Sequence, residues 1–236
     1  MRCNSCVTDQ EVYGEVRRLR ATGMSPKGIA RTLGVRPAAV APIVRELAAE
    51  TPPQPPEHRE LVGCWISPAW SRELIVEPRE GWDDVDVGPD GPAGIALVLV
   101  ARAGRGDRVS VCGYLVDTFC LGVKDVIGPE LMRKRQLPSF SRAYFVAFPG
   151  PALHAPVELA QHLVHGAVAF AAGLGFAPHP DFPAARGHLG ELNEPCAFRF
   201  GRQGRPLYVP GPYDDPFAVM QALKETVGSD GFAVAA

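Results

Sequence analysis

The sequence predicts an α+β protein made of a small helical unit, a proline-rich linker and a larger mixed domain. Apolar residues follow helical spacing throughout residues 10–50, and residues 51–59 contain four prolines. Proline runs favour an extended, semi-rigid backbone, so this linker is predicted to separate two folded parts. Residues 60–228 alternate between strand-like and helix-like patterns, which is typical of a mixed α+β domain. Residues 1–9 and 229–236 are predicted to be flexible tails.

Three short helices are predicted in the first unit. Apolar residues recur at i, i+4 and i+7 from Val12 to Leu19, which indicates the buried face of a first helix. Ser25 is suited to cap a second helix, because its hydroxyl can accept a backbone N–H of the first turn. Gly34 supplies the left-handed residue that ends this helix. A third helix is predicted to begin near Pro37.

The spacing of small and apolar residues in this unit also predicts how its helices pack. Ala30 is small at the point where two helices would cross, Gly34 suits a tight turn, and Val40 and Ile43 would fill the core between the helices. In these positions residues 25–47 resemble the helix-turn-helix of bacterial transcriptional regulators. The resemblance implies binding of double-stranded DNA with the third helix in the major groove. It also implies a homodimer that reaches two half-sites about one DNA turn apart.

The resemblance further implies which side chains would face DNA. They are Lys27, Arg31, Arg36, Ala38, Ala39 and Arg45. The four cations suit phosphate contacts, whereas the two alanines offer a base edge only apolar contact. Pro42 lies inside the third helix, where it removes a hydrogen bond and favours a kink. We therefore expect positioning on DNA with modest sequence readout. The alternative for the same helices is a bundle used for dimerisation or protein docking.

Charge and hydropathy narrow the class of protein. Residues 1–50 carry eight Lys and Arg against five Asp and Glu, whereas the remainder carries 16 against 21. A basic head on an acidic body suits a nucleic-acid-binding unit joined to a regulatory or catalytic domain. No apolar run reaches the ~20 residues that a membrane span needs, and the first residues lack the apolar core of a signal peptide. We therefore expect a cytoplasmic protein without a membrane partner, with its scattered cysteines reduced.

The larger domain is predicted to combine strands with helices. The strongest helix pattern covers residues 156–174, because its apolar residues repeat along one stripe. The other predicted elements are strands at 61–66, 73–77, 93–101 and 108–115, short helices at 129–137 and 139–148, a hairpin across 197–209, and a last helix at 216–227.

One segment of this domain carries residues suited to catalysis. A hydrophobic strand leads into Asp117, and Lys124 and Asp125 follow after a glycine. Carboxylates at a strand end beside a lysine are the groups used in metal-dependent phosphate chemistry. They are also common where a strand simply leaves a sheet. The sequence contains neither a GxSxG motif nor a phosphate-binding GxxxxGK[ST] loop that would indicate another reaction.

Two further groups could bind a divalent metal. Glu158, His162 and His165 lie at i, i+4 and i+7 of the predicted helix at 156–174, and His179 and Asp181 could complete a shell. The alternative is a solvated polar face opposite the apolar stripe. Cys3 and Cys6 have the spacing of half a zinc site, but structural zinc takes four ligands and no second pair follows. The alternative for this pair is an unpaired tail.

These observations predict a DNA-binding transcriptional regulator whose larger domain senses a small-molecule effector or forms a dimer. No cofactor is expected, and a non-enzyme is favoured over an enzyme. The second hypothesis is a metal-dependent hydrolase or nuclease, in which the helical unit is a targeting module. In that case Asp117, Lys124, Asp125 and the Glu158–His165 stripe are expected to converge in one pocket that holds a divalent ion. The third is a protein-docking scaffold.

Overall fold

The computed structural model of the chain describes residues 9–50, 54–88 and 91–235. The chain divides into two compact units, one ending at Gln54 and the other beginning at Pro55, a boundary inside the predicted linker at 51–59. Within the described ranges, no helix has both the length and the apolar character needed to cross a bilayer. The molecule is of the mixed α+β class that the sequence predicts.

The first unit consists of the three predicted helices, α1 (Asp9–Ala21), α2 (Pro26–Leu33) and α3 (Pro37–Glu50). The Ser25 hydroxyl accepts the Gly28 N–H at 3.2 Å and so caps α2. Gly34 ends α2 with φ +67°, and its N–H donates to carbonyls of the last turn. The core residues all come from positions with helical spacing: Val16, Leu19, Ile29, Ala30 and Val40.

Two glycines of this unit are expected to respond oppositely to alanine. Gly34 has a left-handed backbone, so Gly34→Ala is expected to destabilise the unit by about 1 kcal/mol. Gly14 lies inside α1 with open space around its Cα, so Gly14→Ala is expected to stabilise it by up to about 1 kcal/mol. All three tryptophans belong to the second unit. Tryptophan fluorescence therefore does not report on the first unit, and its unfolding is followed by the loss of helical circular dichroism in the full chain. Changes of stability with the same sign in both variants would contradict these expectations.

The second unit surrounds a five-stranded sheet. Its helices are α4 (Leu137–Tyr144), α5 (Val157–Gly173), α6 (Phe182–Leu189) and α7 (Pro216–Val227). Its strands are β1 (Leu61–Ile66), β2 (Ile75–Val76), β3 (Ile95–Ala103), β4 (Arg108–Asp117), β5 (Gly122–Arg133), β6 (Leu153–His154), β7 (Phe198–Arg199), β8 (Leu207–Tyr208) and β9 (Ala233–Val234). The sheet order is β5-β4-β3-β1-β6, with neighbouring strands antiparallel.

Helices cover both faces of this sheet. Val98 and Tyr114 on one face share a buried cluster with Leu159 of α5. Leu99 on the other face shares a second cluster with Leu137 at the start of α4. The central strand β3 is therefore buried on both sides, which explains its continuous apolar sequence.

The sequence-based prediction of a short helix at 129–137 was wrong, because residues up to Arg133 belong to β5. Pro129 favours the start of a helix, but it is also tolerated on an edge strand, where its missing N–H breaks no ladder. β5 is such an edge, and its register with β4 shifts between Val111 and Gly113, next to this proline.

The predicted hairpin across 197–209 and the predicted flexible tail at 229–236 were also wrong. β7 pairs with β2, whereas β8 pairs in parallel with β9 inside the supposed tail. The tail is ordered because Phe232 is buried against Tyr208 and Leu223. The Ala235 N–H also donates to the Tyr208 carbonyl at 2.9 Å. Local pattern alone cannot predict a pairing that depends on one aromatic ring entering a distant core.

The end of the predicted linker belongs to the second unit. Residues Pro56–His58 form a 3₁₀ turn, and the carbonyls of Glu57 and Arg59 accept hydrogen bonds from Arg102 of β3. The larger domain therefore begins before residue 60, where the sequence analysis placed its start.

Candidate functional site

The first unit presents cations around the turn between α2 and α3. Lys27, Arg31 and Arg36 are exposed, and none of them forms an ion pair with another described residue. Lys27 and Arg31 line a shallow recess of about 510 Å³ together with Pro37, the first residue of α3. Arg45 is exposed too, and its Nε donates to the Ala41 carbonyl at 3.3 Å. This surface can attract an anion.

The predicted contact face of α3 is exposed and consists mainly of side chains without hydrogen-bonding groups. Ala38 and Ala39 are both open to solvent, one turn before the exposed Pro42. α3 runs through Pro42 as one helix, although this residue cannot donate the usual backbone hydrogen bond. The face between the cations therefore offers methyl groups and few hydrogen-bond donors.

The second unit brings Asp117, Lys124 and Asp125 together at one cavity. The cavity has a volume of about 720 Å³ and lies at the end of the β4–β5 hairpin. One wall is the loop 209–214, and His179 also contributes to the lining. The three candidate catalytic residues thus share a site, as their closeness along a strand, turn and strand would suggest.

Lys124 is held by a partner that the sequence analysis missed. Its Nζ lies 2.8 Å and 2.9 Å from the two carboxylate oxygens of Asp214. Asp214 also accepts the Gly211 N–H at 2.8 Å, and its side chain is only 8% exposed. Burial raises the pKa of Asp214, but the hydrogen bonds from Lys124 and Gly211 outweigh burial and leave it below its ordinary value. The pair fastens the loop to β5, and the carboxylate of Asp214 offsets the charge of Lys124.

The two remaining carboxylates differ in environment. Asp117 is 3% exposed, and its Oδ1 accepts the N–H groups of Phe119 and Cys120 at 2.8 Å and 2.9 Å. Burial raises the pKa of Asp117 although these hydrogen bonds oppose it. Asp125 is exposed, and its Oδ1 lies 3.9 Å from Nε2 of His179. The backbone N–H of His179 donates to the Val123 carbonyl at 2.9 Å, which holds this residue beside β5 at the cavity.

The second predicted metal group lies elsewhere, on α5. His162 is buried, and its Nδ1 accepts the Ala197 N–H at 3.1 Å, which assigns the ring proton to Nε2. Nε2 then donates to Glu194 Oε1 at 2.9 Å. His165 donates from Nε2 to the Gly190 carbonyl at 2.8 Å, and burial lowers its pKa. Both rings are engaged in holding α5 to neighbouring segments.

The part of the chain that the structure describes contains no preformed group of metal-binding side chains. There, no three His, Cys, Asp or Glu side chains are arranged to hold an ion. Glu158 is exposed, whereas His162 is buried, so α5 does not present them as one solvated face. None of the α5 residues Glu158, His162 and His165 lines the cavity near Asp117. Cys3 and Cys6 lie outside the described residues.

The signals for the missed residues are weak in the sequence. Asp214 follows a Gly-Pro-Tyr turn 90 residues after Lys124, and no local pattern links them. The sequence links His179 and Asp181 only with a metal shell on α5. In the structure, Nδ1 of His179 accepts the Asp181 backbone N–H at 3.3 Å, and its Nε2 lies 3.9 Å from Oδ1 of Asp125. Comparison of the chain with models of known families, with curated proteins and with solved structures found no match.

Proposed function

We propose that the protein is a helix-turn-helix DNA-binding protein that acts as a transcriptional regulator. The observation that carries the proposal is the set of exposed cations Lys27, Arg31 and Arg36 around the Gly34 turn, without ion-pair partners in the described residues. Cations so placed suit contacts with the phosphates on either side of a groove. The small Ala30 and the left-handed Gly34 give α2 and α3 the close approach that such a motif uses.

The character of the α3 surface limits the proposed readout. Ala38 and Ala39 can contact thymine methyl groups but cannot make the paired hydrogen bonds that identify guanine or adenine. The proposed binding is therefore led by phosphate contacts, and its affinity depends strongly on salt. Because one short reading helix binds weakly, the proposal includes a homodimer on two half-sites. The second unit would then supply dimerisation or effector sensing.

The Arg36→Ala variant tests this proposal. Loss of one charged phosphate contact is expected to weaken binding of mixed-sequence duplex DNA by about tenfold, or ~1.4 kcal/mol. The slope of log K against log salt is expected to fall by about 1, because one fewer counterion is released. Fluorescence anisotropy of labelled duplex, titrated with the full chain at several salt concentrations, measures both quantities and the number of chains bound.

Arg105→Ala is the matched control, because Arg105 is equally exposed but lies in the β3–β4 turn of the second unit. It is expected to leave both affinity and salt slope unchanged. Equal losses in the two variants would indicate attraction by net charge alone. Absence of binding by the unmodified chain at low salt would overturn the proposal and favour a helical unit that docks another protein.

A further inference from the structure

The cavity beside Asp117 has no part in the proposed DNA contact. Its volume of about 720 Å³ lies within the range of pockets that bind small molecules. Much of its wall is apolar, supplied by Ile95, Leu115, Phe119, Val209 and Pro212. Tyr213 stands at the same cavity with 98% of its surface exposed. Val209, 45% exposed, adds further apolar surface at the same cavity.

Two carboxyl groups remain at this cavity after the internal ion pair is considered. The ammonium group of Lys124 lies within 2.9 Å of both carboxylate oxygens of Asp214, so these two charges offset each other. Asp117, although buried, forms no ion pair with any described residue, and Asp125 has only the 3.9 Å approach of His179. Two carboxyl groups therefore face the cavity without a close, committed cation.

The hydrogen bonds of Asp117 keep its carboxyl group in place. The N–H groups of Phe119 and Cys120 both donate to Oδ1, as the chain turns at the end of β4. A carboxyl group fixed this way at an apolar wall is a preorganised partner for a cation, since little side-chain freedom is lost on binding. An anionic ligand would meet like charges, and a neutral apolar ligand would desolvate the carboxylates without compensation.

We propose that this cavity binds a small apolar amine. The ammonium group would lie against Asp117 and Asp125, and the apolar part would contact Phe119 and Leu115. Tyr213 would close over the ligand from the loop 209–214, where its ring can also approach the cation. The site is independent of the DNA contact, so either proposal can fail without the other.

The test uses three probes of similar size, namely 2-phenylethylamine, 2-phenylethanol and 3-phenylpropionate. Each is titrated into the full chain and followed by chemical-shift changes in two-dimensional NMR spectra. The amine is expected to bind at least about tenfold more tightly than the alcohol, a difference of ~1.4 kcal/mol, and the carboxylate is expected not to bind. No saturable binding of the amine at millimolar concentration, or equal binding of the alcohol, would overturn the proposal.

Two variants locate the binding site. Asp117→Asn keeps Oδ1 as an acceptor for Phe119 and Cys120 but removes the charge, so it is expected to weaken amine binding about tenfold. Asp107→Asn, at the exposed opposite end of β4, is the matched control and is expected to have no effect. Equal losses in both would contradict a local site. Should Asp117→Asn fold poorly, Tyr213→Ala changes only an exposed side chain, and unchanged amine affinity in that variant would equally contradict the proposal.

Discussion

Replacing Arg102 by leucine is expected to lower the free energy of unfolding of the second unit by about 3 to 5 kcal/mol. Arg102 is only 6% exposed, and its guanidinium donates to four backbone carbonyls. The acceptors belong to Glu57, Arg59, His188 and Leu189, at distances from 2.7 to 3.4 Å. Leucine has no donor, so each of the four carbonyls would lose its hydrogen bond from Arg102. A buried group that is left unpaired costs about 1 to 3 kcal/mol.

Urea unfolding followed by tryptophan fluorescence measures this loss in the full chain, because all three tryptophans lie in the second unit. Arg105→Leu is the control, since the exposed Arg105 side chain in the neighbouring turn is expected to change stability by no more than about 0.5 kcal/mol. If Arg102→Leu unfolded at the same urea concentration as Arg105→Leu, the four hydrogen bonds would not be holding the linker end and α6 to the sheet.

Arg102 also shows where sequence-based reasoning reached its limit. It lies between the predicted strands at 93–101 and 108–115, beside other charged and small residues. Its acceptors are 43 to 87 positions away along the chain, so no local spacing distinguishes Arg102 from Arg105. The consequence was an error in the domain boundary, because Glu57 and Arg59, two of the four residues whose carbonyls Arg102 binds, were assigned to the linker.

Elements determined by nearby residues were predicted well. The last helix was expected at 216–227 and spans Pro216–Val227, because Asp215 caps it and Pro216 occupies its first turn. β1 likewise has its predicted bounds, Leu61–Ile66. The three N-terminal helices follow from the same kind of local signal, namely Ser25 as a cap and Gly34 as a stop.

Only the part of the candidate cavity that comes from residues close together in the chain could be predicted. Asp117, Lys124 and Asp125 belong to one strand, turn and strand, so their closeness follows from the chain itself. The loop that carries Asp214 reaches them through β8, whose pairing with β9 depends on the burial of Phe232. Without that pairing the sequence offers no reason to expect Lys124 to be neutralised, and Lys124 is then easily taken for a free catalytic group.

Acidification is expected to destabilise the second unit through His188. Its ring is 1% exposed, Nε2 lies 2.8 Å from the Ser110 hydroxyl, and Nδ1 has no hydrogen-bond partner in the described residues. Burial, with the positive charges of Arg102 and Arg59, lowers the pKa of His188 from 6.5 to about 4. Between these values the unfolded chain binds the proton and the folded chain does not. The stability is therefore complete above pH 6.5 and is lost as the pH falls toward 4.

The size of this loss follows from the two pKa values. Each unit of difference corresponds to about 1.4 kcal/mol, so the stability lost through His188 between pH 6.5 and pH 4, where half of the folded chains carry the proton, amounts to roughly 3 kcal/mol. His188→Gln replaces the ring by a neutral group that can still bond to Ser110 and cannot be protonated in this range. The variant is expected to be less stable than the unmodified chain at pH 7, and its deficit is expected to shrink by this amount at pH 4.

Urea unfolding gives the free energy of unfolding of the unmodified chain and of His188→Gln at each pH. The difference between the two values cancels the effect of the carboxylates that titrate in both proteins. His154→Gln is the matched control, because the His154 ring is exposed and glutamine can still accept the Trp65 Nε1–H that this ring accepts at 3.2 Å. A deficit of His188→Gln that stayed constant from pH 7 to pH 4, or one that shrank equally in His154→Gln, would mean that protonation of His188 is not opposed by its surroundings. A deficit that shrinks only in His188→Gln would identify the buried contact of α6 with β4 as a part of the second unit that opens in acid.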